Sequence, residues 1–301
     1  MKPEKRRRFL KKATLVAGAL GAGATWMNFE TYFQAPMKTV FLWEKGSVND
    51  QATEESERPR LDLYFPEQQH ATHQKLIIIC PGGGYYKLAE EKEGKKFAEL
   101  FTEQGWVAAV LFYRHREHKH PAPFTDACRA IRMMRAQASE YNIDPDKIAL
   151  MGFSAGGHLA ASVGTQPHLY LDPMDDLAGK VSSRPDRLIL AYPVISFKEF
   201  VHKGSVQNLL GDKVSDESLL LQLSNNRQVD SNTPATFLFH TADDPSVDVQ
   251  NSLLFAQACL QHKVSVALHI YPKGPHGVGL GLQYPELKGW SEVLLKWIRE
   301  W

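Results

Sequence analysis

The chain has 301 residues, 43% of them hydrophobic and 23% charged, which is ordinary for a globular protein and enough for one large domain with a substantial core. Its formal charge of +1 conceals a basic start, because residues 1–24 hold seven Lys or Arg and one Glu, which leaves −5 on the remainder. A mildly acidic body does not attract phosphate backbones, so the charge excludes nucleic acid as an expected partner.

The first 24 residues have the pattern of an export signal. Residues 6–11 (RRRFLK) fit the twin-arginine pattern, a small and apolar stretch follows at 13–24, and 22–24 (AGA) offers a cleavage site. The stretch is too short for a comfortable transmembrane span, although an uncleaved anchor or a basic tail remains an alternative. We therefore expect a twin-arginine signal peptide at 1–24, a linker at 25–37 and one folded domain at 38–301. The expected location is periplasmic or secreted, with no stable membrane span after signal cleavage.

Strands and helices alternate through the rest of the chain. Apolar runs such as 76–80 indicate strands buried on both faces, whereas 61–65 alternates like an outer strand. Strands are predicted at 61–65, 76–80, 107–112, 147–151, 188–191, 236–240 and 266–271, and helices at 94–104, 125–140 (with Thr125 as N-cap), from about 156, 251–261 and 286–301. This order predicts an α/β fold with a mostly parallel central sheet and helices on both faces. Residues 196–232 interrupt the alternation, either as a lip or small cap over a site or as a surface excursion.

One pentapeptide, Gly152-Phe153-Ser154-Ala155-Gly156, has the form G-x-S-x-G. It directly follows a buried apolar run and opens the next helix, which is the strand-turn-helix context of the nucleophile elbow in α/β-hydrolases. Glycines two residues either side of the serine let neighbouring backbone approach without a Cβ clash. The pattern therefore predicts the α/β-hydrolase fold, with Ser154 as a nucleophile near the positive end of a helix.

A serine hydroxyl needs a base to take its proton, and in this fold the order along the chain is Ser, acid, His. The loop after the strand that ends at His240 supplies two candidate acids, Asp243 and Asp244. The loop after the last strand supplies His276, between a proline and a glycine, as the predicted base. Other histidines fit this role less well, because they lie within strands or behind the serine at the helix start: His240, His269 and His158.

Three consecutive glycines, 82–84, follow the strand predicted at 76–80. In an α/β-hydrolase this loop and the residue after the nucleophile supply the amides that bind the oxyanion, so the predicted donors are Gly83, Gly84 and Ala155. A phosphate-binding loop is the alternative, but no Walker lysine-serine pair or dinucleotide glycine spacing follows, and we expect no cofactor. The rings of Tyr85 and Tyr86 come next and are predicted to shorten the acyl pocket.

Neither the cysteines nor a histidine-rich segment predicts a metal site. The three cysteines (Cys80, Cys128 and Cys259) are widely spaced in apolar runs, which favours buried thiols. Residues 115–120 (HREHKH) lack the spacing of a helical zinc pair, and their Arg and Lys oppose a cation. A solvated or substrate-facing loop is the better interpretation, with His120 as a candidate substrate contact.

Eight short segments carry a family resemblance: LW at 42–43, PGGGY at 81–85, YR at 113–114, HPAP at 120–123, GFSAGGHLA at 152–160, YPVIS at 192–196, NLLG at 208–211 and GPHG at 274–277. Together they resemble bacterial acetyl esterases of the α/β-hydrolase superfamily, in the branch of acetylxylan esterases. The resemblance implies a triad of Ser154, Asp244 and His276 and an ester of acetylated plant polysaccharide or its oligosaccharides as substrate. Asp244 also begins the D-x-x-V pattern common in the acid loop of this fold, whereas Asp243 lies one residue out of register. Pro81 stands where hormone-sensitive-lipase relatives carry a histidine, which places the chain outside that group.

A carbohydrate acetyl esterase is the leading hypothesis from the sequence. A broad carboxylesterase acting on small acyl esters, a serine peptidase and a non-catalytic binding protein are the alternatives. The binding protein is disfavoured, because binding alone needs no aligned set of serine, acid, histidine and glycine loop.

Overall fold

Eight strands form one sheet in the part of the chain that the structure describes. The computed structural model describes residues 37–301 except 48, 51, 53, 68–72, 172, 173 and 175. The strands are β1 (Met37–Phe41), β2 (Arg60–Tyr64), β3 (Gln74–Cys80), β4 (Val107–Phe112), β5 (Ile143–Phe153), β6 (Arg187–Ala191), β7 (Ala235–Thr241) and β8 (Val266–Tyr271), in the sheet order β1-β2-β4-β3-β5-β6-β7-β8. Strands β3 to β8 pair in parallel, and β2 pairs antiparallel with both β1 and β4. The loops that follow the parallel strands therefore meet at one edge of the sheet.

Helices cover both faces of this sheet. They are α1 (Lys96–Thr102), α2 (Ala122–Ala136), α3 (Ala155–Thr165), α4 (Lys203–Leu210), α5 (Glu217–Gln222), α6 (Gln250–Gln261) and α7 (Trp290–Arg299). Side chains of β3 alternate between two apolar clusters: Leu76 and Ile78 pack with α2, α3 and α6, whereas Ile77 and Ile79 pack with α1 and α7. Since successive side chains of a strand point to opposite faces, the apolar run at 76–80 is buried on both. The predicted α/β-hydrolase fold, with helices on both faces of a mostly parallel sheet, is confirmed.

Several predicted boundaries differ from the structure. Helix α2 begins at Ala122 with Pro121 as its N-cap, so the prediction of Thr125 as N-cap is wrong. The Thr125 hydroxyl instead donates to the Pro121 carbonyl at 3.2 Å, within the first turn. Prolines are tolerated in a first helical turn because the amide there has no helical partner, so this helix begins earlier than its threonine suggests. A π-helical turn at Glu90–Lys95 also precedes α1, and the edge strand β1, which the sequence does not predict, pairs with β2.

The insertion at 196–232 carries α4 and α5 and lies beside the glycine loop. Asn208, on α4, donates from Nδ2 to the Gly84 carbonyl at 2.8 Å. The carbonyl of the next residue, Leu209, accepts from the His120 amide at 3.0 Å. Of the two interpretations of this insertion, these contacts favour a lip at the loop over a surface excursion.

Two further predictions concern the cysteines and the start of the chain. All three cysteines are buried as thiols, as predicted. No helix within the described residues is long and apolar enough to cross a membrane. The predicted signal peptide at 1–24 and all of the linker except Met37 lie outside the described residues.

Candidate active site

Ser154 occupies a sharp turn between β5 and α3. Its backbone has φ 52° and ψ −118°, a conformation that costs free energy in a residue with a side chain. The flanking glycines make the turn sterically possible, since a Cβ at Gly152 would lie 2.1 Å from the Gly156 carbonyl oxygen and one at Gly156 would lie 2.2 Å from the Cys80 carbonyl oxygen. The amide of Ser154 donates to the Ala191 carbonyl at 3.1 Å, which ties the turn to β6. The side chain is thereby held at the carboxyl edge of the sheet, at the start of a helix.

Ser154, His276 and Asp244 form one chain of hydrogen bonds. His276 Nε2 lies 2.8 Å from Ser154 Oγ, and its Nδ1 lies 2.7 Å from Asp244 Oδ2. In the productive arrangement the serine hydroxyl donates to Nε2 and Nδ1–H donates to the carboxylate. The structure thus brings together the three residues that the sequence singled out from three separate loops.

The Asp244 carboxylate is fully buried yet well supplied with donors. Its Oδ1 accepts from the amides of Ser246 at 2.8 Å and Val247 at 3.0 Å. Burial opposes ionisation, but hydrogen bonds from His240, His276 and the Val247 amide outweigh it and hold the pKa of Asp244 well below its ordinary value. Asp244 is therefore ionised at neutral pH and can stabilise a positive charge on His276.

Asp243 has a different contact from its neighbour. Its Oδ1 accepts from the Gly274 amide at 2.8 Å, and the side chain is exposed. The Gly274 carbonyl also accepts from the Thr241 hydroxyl at 2.8 Å. Asp243 thus anchors the loop that carries His276 without touching the imidazole.

The glycine loop lies directly against the serine turn. A Cβ at Gly82 would lie 3.0 Å from Ser154 Cβ, and one at Gly83, where φ is 129°, would lie 2.1 Å from the Lys87 carbonyl oxygen. Among the hydrogen bonds of the described residues, none uses the amides of Gly83, Gly84 or Ala155. Two amides of the loop that adjoins the serine turn, and the amide of the residue after the serine, are therefore available to a ligand oxygen.

Tyr85 does not line an acyl pocket, contrary to the prediction. Its side chain is 1% exposed, and its hydroxyl donates to His158 Nδ1 at 2.9 Å. His158 in turn donates from Nε2 to the Leu223 carbonyl at 2.8 Å and stacks on Phe197, with 4.1 Å between ring centroids. The chain turns inward after Gly84, so this ring fills the core below the site instead of facing a substrate.

Tyr86 and His120 have different surroundings from Tyr85. Tyr86 is 62% exposed, with the Arg116 guanidinium 5.8 Å from its ring centroid. His120 is half-buried, and its ring packs edge-on against Phe124 and Tyr170. Burial lowers the pKa of His120 to about 4, so its imidazole is neutral at physiological pH. Substrate contact by these two residues stays a prediction.

Two residues that contact the site, Glu93 and His240, were not predicted from the sequence to take part in it. Glu93 is buried, with Oε2 accepting from the Gly82 amide at 2.8 Å and Oε1 accepting from the Tyr192 hydroxyl at 3.0 Å. His240, also buried, has Nε2 2.9 Å from the Val247 carbonyl oxygen and 3.4 Å from Asp244 Oδ2. Glu93 lies in an acidic and basic run that indicates a solvated surface, and a histidine within a strand is typical of packing.

The arrangement meets the requirements of nucleophilic acyl transfer. A serine hydroxyl contacts a base, the base contacts an ionised carboxylate, and amides without a hydrogen-bond partner among the described residues lie on the adjoining glycine loop and on the residue after the serine. Among the described residues, no group of three or more His, Cys, Asp or Glu side chains is placed to hold a metal ion.

Comparisons with known proteins point to esterases of the same fold. The family model described as BD-FAE matches residues 61–259. A solved structure of an acetyl ester-xyloside bifunctional hydrolase from Caldicellulosiruptor lactoaceticus is 42% identical, with a TM-score of 0.79 over 89% of this chain and 96% of that one. The carboxylesterase Cest-2923 from Lactobacillus plantarum is 25% identical, with a TM-score of 0.69 over 89% of this chain and 97% of that one.

Two curated relatives are longer than this chain. Endo-1,4-beta-xylanase B of Butyrivibrio fibrisolvens is 35% identical over 83% of this chain and 39% of its own length. An acetylxylan esterase of Xylanibacter ruminicola is 33% identical over 80% of this chain and 48% of its own length. The chain thus spans less than half the length of either protein.

Proposed function

The chain belongs to the BD-FAE family of α/β-hydrolases, and from that premise we propose that it is a serine esterase that removes acetyl groups from acetylated carbohydrate such as xylan or its oligosaccharides. The observation that carries the proposal is the hydrogen-bonded chain from Ser154 through His276 to Asp244. The names of the similar proteins support the substrate class, since they include an acetylxylan esterase and an acetyl ester-xyloside hydrolase.

In the proposed reaction, Ser154 Oγ attacks the acetyl carbonyl carbon while its proton passes to His276 Nε2. The carbonyl oxygen becomes negatively charged and accepts from the amides of Gly83, Gly84 and Ala155, each worth about 3 kcal/mol in the transition state. His276 then returns the proton to the sugar oxygen as the ester bond breaks. Water attacks the acetyl-serine by the same route in reverse, with His276 as base, and releases acetate.

Asp244 supports both halves of this cycle. Its buried carboxylate accepts from His276 Nδ1–H, which selects the tautomer whose Nε2 can accept the serine proton. The same negative charge stabilises the imidazolium that forms in each transition state. Asp243 has no part in the proposed proton transfers, because its carboxylate binds the Gly274 amide.

A broader carboxylesterase is the second candidate, favoured by the similarity to Cest-2923. The two are separated by acetate release from acetylated xylan, mannan and pectin, measured beside hydrolysis of p-nitrophenyl acetate and p-nitrophenyl octanoate. The proposal expects release from xylan or its oligosaccharides and a higher kcat/KM for acetate than for octanoate. Hydrolysis of the simple esters alone would favour the carboxylesterase, and a Ser154→Ala variant is the matched blank. No hydrolysis of any ester would favour a peptidase or a binding protein.

The proposal extends to export through the twin-arginine route to the periplasm or the medium, with 1–24 as signal peptide, 25–37 as linker and 38–301 as catalytic domain. The arginine pair at 6–7 within RRRFLK supports it. Replacing Arg6 and Arg7 by Lys keeps the charge, so retention of the enzyme in the cytoplasm would identify recognition of the pair. Unchanged periplasmic esterase activity in that variant would point to another route.

A further inference from the structure

We propose that Glu93 is a positioning residue that holds the oxyanion loop and the histidine loop in register with Ser154. The oxyanion loop is defined here as residues 82–84 and the histidine loop as residues 276–279. This inference rests on the proposed function, because it assigns Glu93 a role in the same reaction.

Glu93 is a buried acid on a turn whose first three residues are exposed. It lies in the π-helical turn Glu90–Lys95, where Glu90, Glu91 and Lys92 are exposed while Glu93 is 4% exposed. Single π-helical turns occur frequently at functional sites, because the extra residue per turn redirects a side chain. Here the turn directs one carboxylate inward, toward two loops of the site.

The first contact of Glu93 is with the oxyanion loop. Its Oε2 accepts from the Gly82 amide at 2.8 Å, and the Gly82 carbonyl accepts from the Ala89 amide at 3.0 Å. Both polar groups of Gly82 are thereby occupied at the base of the loop. A Cβ at Gly82 would lie 2.7 Å from Glu93 Oε2 and 3.0 Å from Ser154 Cβ, so the carboxylate, the glycine and the serine are in close contact. The two following amides are left to the oxyanion.

The second contact reaches the histidine loop through Tyr192. Glu93 Oε1 accepts from the Tyr192 hydroxyl at 3.0 Å, and that hydroxyl accepts from the Gly279 amide at 3.2 Å. The Tyr192 ring is edge-on to His276, with 5.2 Å between ring centroids. One carboxylate therefore connects, in two hydrogen bonds or fewer, the loop that binds the oxyanion and the loop that carries the base.

An ionised carboxylate suits this position, because both of its oxygens must accept. Burial holds the pKa of Glu93 above its ordinary value, and the Gly82 amide, the Tyr192 hydroxyl, His276 and Lys92 offset only part of that rise. The charged and titratable groups that face it are His276 from the histidine loop, Tyr192 after β6, Tyr113 after β4 and Lys92 on its own turn. In its ionised form Glu93 adds a second negative charge to that of Asp244, and both favour a positive charge on His276 in the transition state.

The test compares Glu93→Gln with Glu91→Gln, an exposed acid on the same turn, and with Tyr192→Phe. A glutamine keeps the shape of Glu93 but offers a single acceptor oxygen and no charge. Steady-state hydrolysis of p-nitrophenyl acetate from pH 5 to 9 gives kcat, KM and the acid limb of kcat/KM, and thermal unfolding monitors the fold. We expect Glu93→Gln to lower kcat by up to about a hundredfold with little change in KM, since misplacement of the loops affects the transition state most.

The pH profile distinguishes a role of Glu93 that depends on its charge from a role that is purely structural. Loss of the negative charge disfavours protonated His276, so the acid limb of the pH profile of kcat/KM should move to lower pH in Glu93→Gln. The same limb should stay in place in Tyr192→Phe and Glu91→Gln, which keep the Glu93 carboxylate. Tyr192→Phe should lower kcat less than Glu93→Gln, because the contact to Gly82 remains. If Glu93→Gln does not fold, a wild-type kcat in Tyr192→Phe overturns the proposal.

Two outcomes distinguish the failure of this inference from that of the proposed function. An active wild type with an unchanged kcat and acid limb in Glu93→Gln would overturn the role of Glu93 alone. A wild type that neither hydrolyses esters nor reacts at Ser154 with a fluorophosphonate would overturn the proposed function, and the inference with it.

Discussion

Exchange of Asp244 for Asn is the sharpest test of the proposed triad, because the backbone fixes how the new amide must lie. Oδ1 of Asp244 accepts from the amides of Ser246 and Val247 at 2.8 and 3.0 Å. An asparagine can keep both hydrogen bonds only if its oxygen stays there. Its Nδ2 then takes the place of Oδ2, 2.7 Å from His276 Nδ1.

The consequence is the wrong tautomer of the base. A donor at that position requires Nδ1 to accept, so the ring proton moves to Nε2, which faces the serine hydroxyl and can no longer take its proton. The same exchange in serine proteases lowers kcat about 10⁴-fold, which corresponds to about 5.5 kcal/mol of transition-state stabilisation. We expect a loss of that size in kcat for Asp244→Asn, with KM little changed.

Asp243→Asn is the matched control, one residue away and with the same chemical change. Its Oδ1 accepts from the Gly274 amide, and an amide oxygen can do the same. We expect kcat within about threefold of wild type and a destabilisation of about 1 kcal/mol or less, visible in the melting temperature. The assay is kcat on p-nitrophenyl acetate for purified, folded variants. A kcat for Asp244→Asn within tenfold of wild type, or a larger loss in Asp243→Asn, would refute the reasoning.

Three further predictions follow from the site and its surroundings. Ser154→Ala should reduce kcat about 10⁶-fold, to background, at an unchanged melting temperature, and residual esterase activity in the pure variant would exclude Ser154 as nucleophile. Tyr86→Ala should raise the KM for acetylated xylo-oligosaccharides several-fold and leave the KM for p-nitrophenyl acetate nearly unchanged, because an exposed ring beside the oxyanion loop can stack on a sugar. Equal effects on the two KM values would argue against this contact. Burial lowers the pKa of His158 to about 4 in the folded protein, whereas an unfolded histidine has a pKa of about 6.5. Between these two pH values the unfolded chain binds a proton that the folded protein does not, so the free energy of unfolding should fall as the pH drops from about 6.5 toward 4. The test measures the free energy of unfolding in urea at pH 7.5 and 4.5 for wild type, His158→Gln and the exposed control His262→Gln. The difference between the two pH values should be smaller in His158→Gln than in the other two proteins. An equal difference in all three would contradict this role of His158.

Local patterns in the sequence were sufficient for the fold and for the loops of the site. Continuous apolar runs such as 76–80 predict doubly buried strands, and glycines around Ser154 predict a sharp turn between a strand and a helix, because both depend on near neighbours in the chain. The order of serine, acid and histidine then follows from which strand each loop succeeds. The register of Val247 also favoured Asp244 over Asp243 as the partner of His276.

Only the tertiary structure decided which side chains meet across the loops. The burial of Tyr85 depends on His158, which lies 73 residues further along the chain, and no local pattern distinguishes it from the exposed Tyr86. Glu93 lies in a run of charged residues, and its burial depends on Gly82 and on Tyr192, 99 residues away. Periodicity reports which face of an element is apolar, but it carries no information on which distant donor a buried carboxylate will find. Those pairings are set when the parallel strands bring their carboxyl ends to one edge of the sheet, because only then do loops far apart in sequence come within hydrogen-bonding distance.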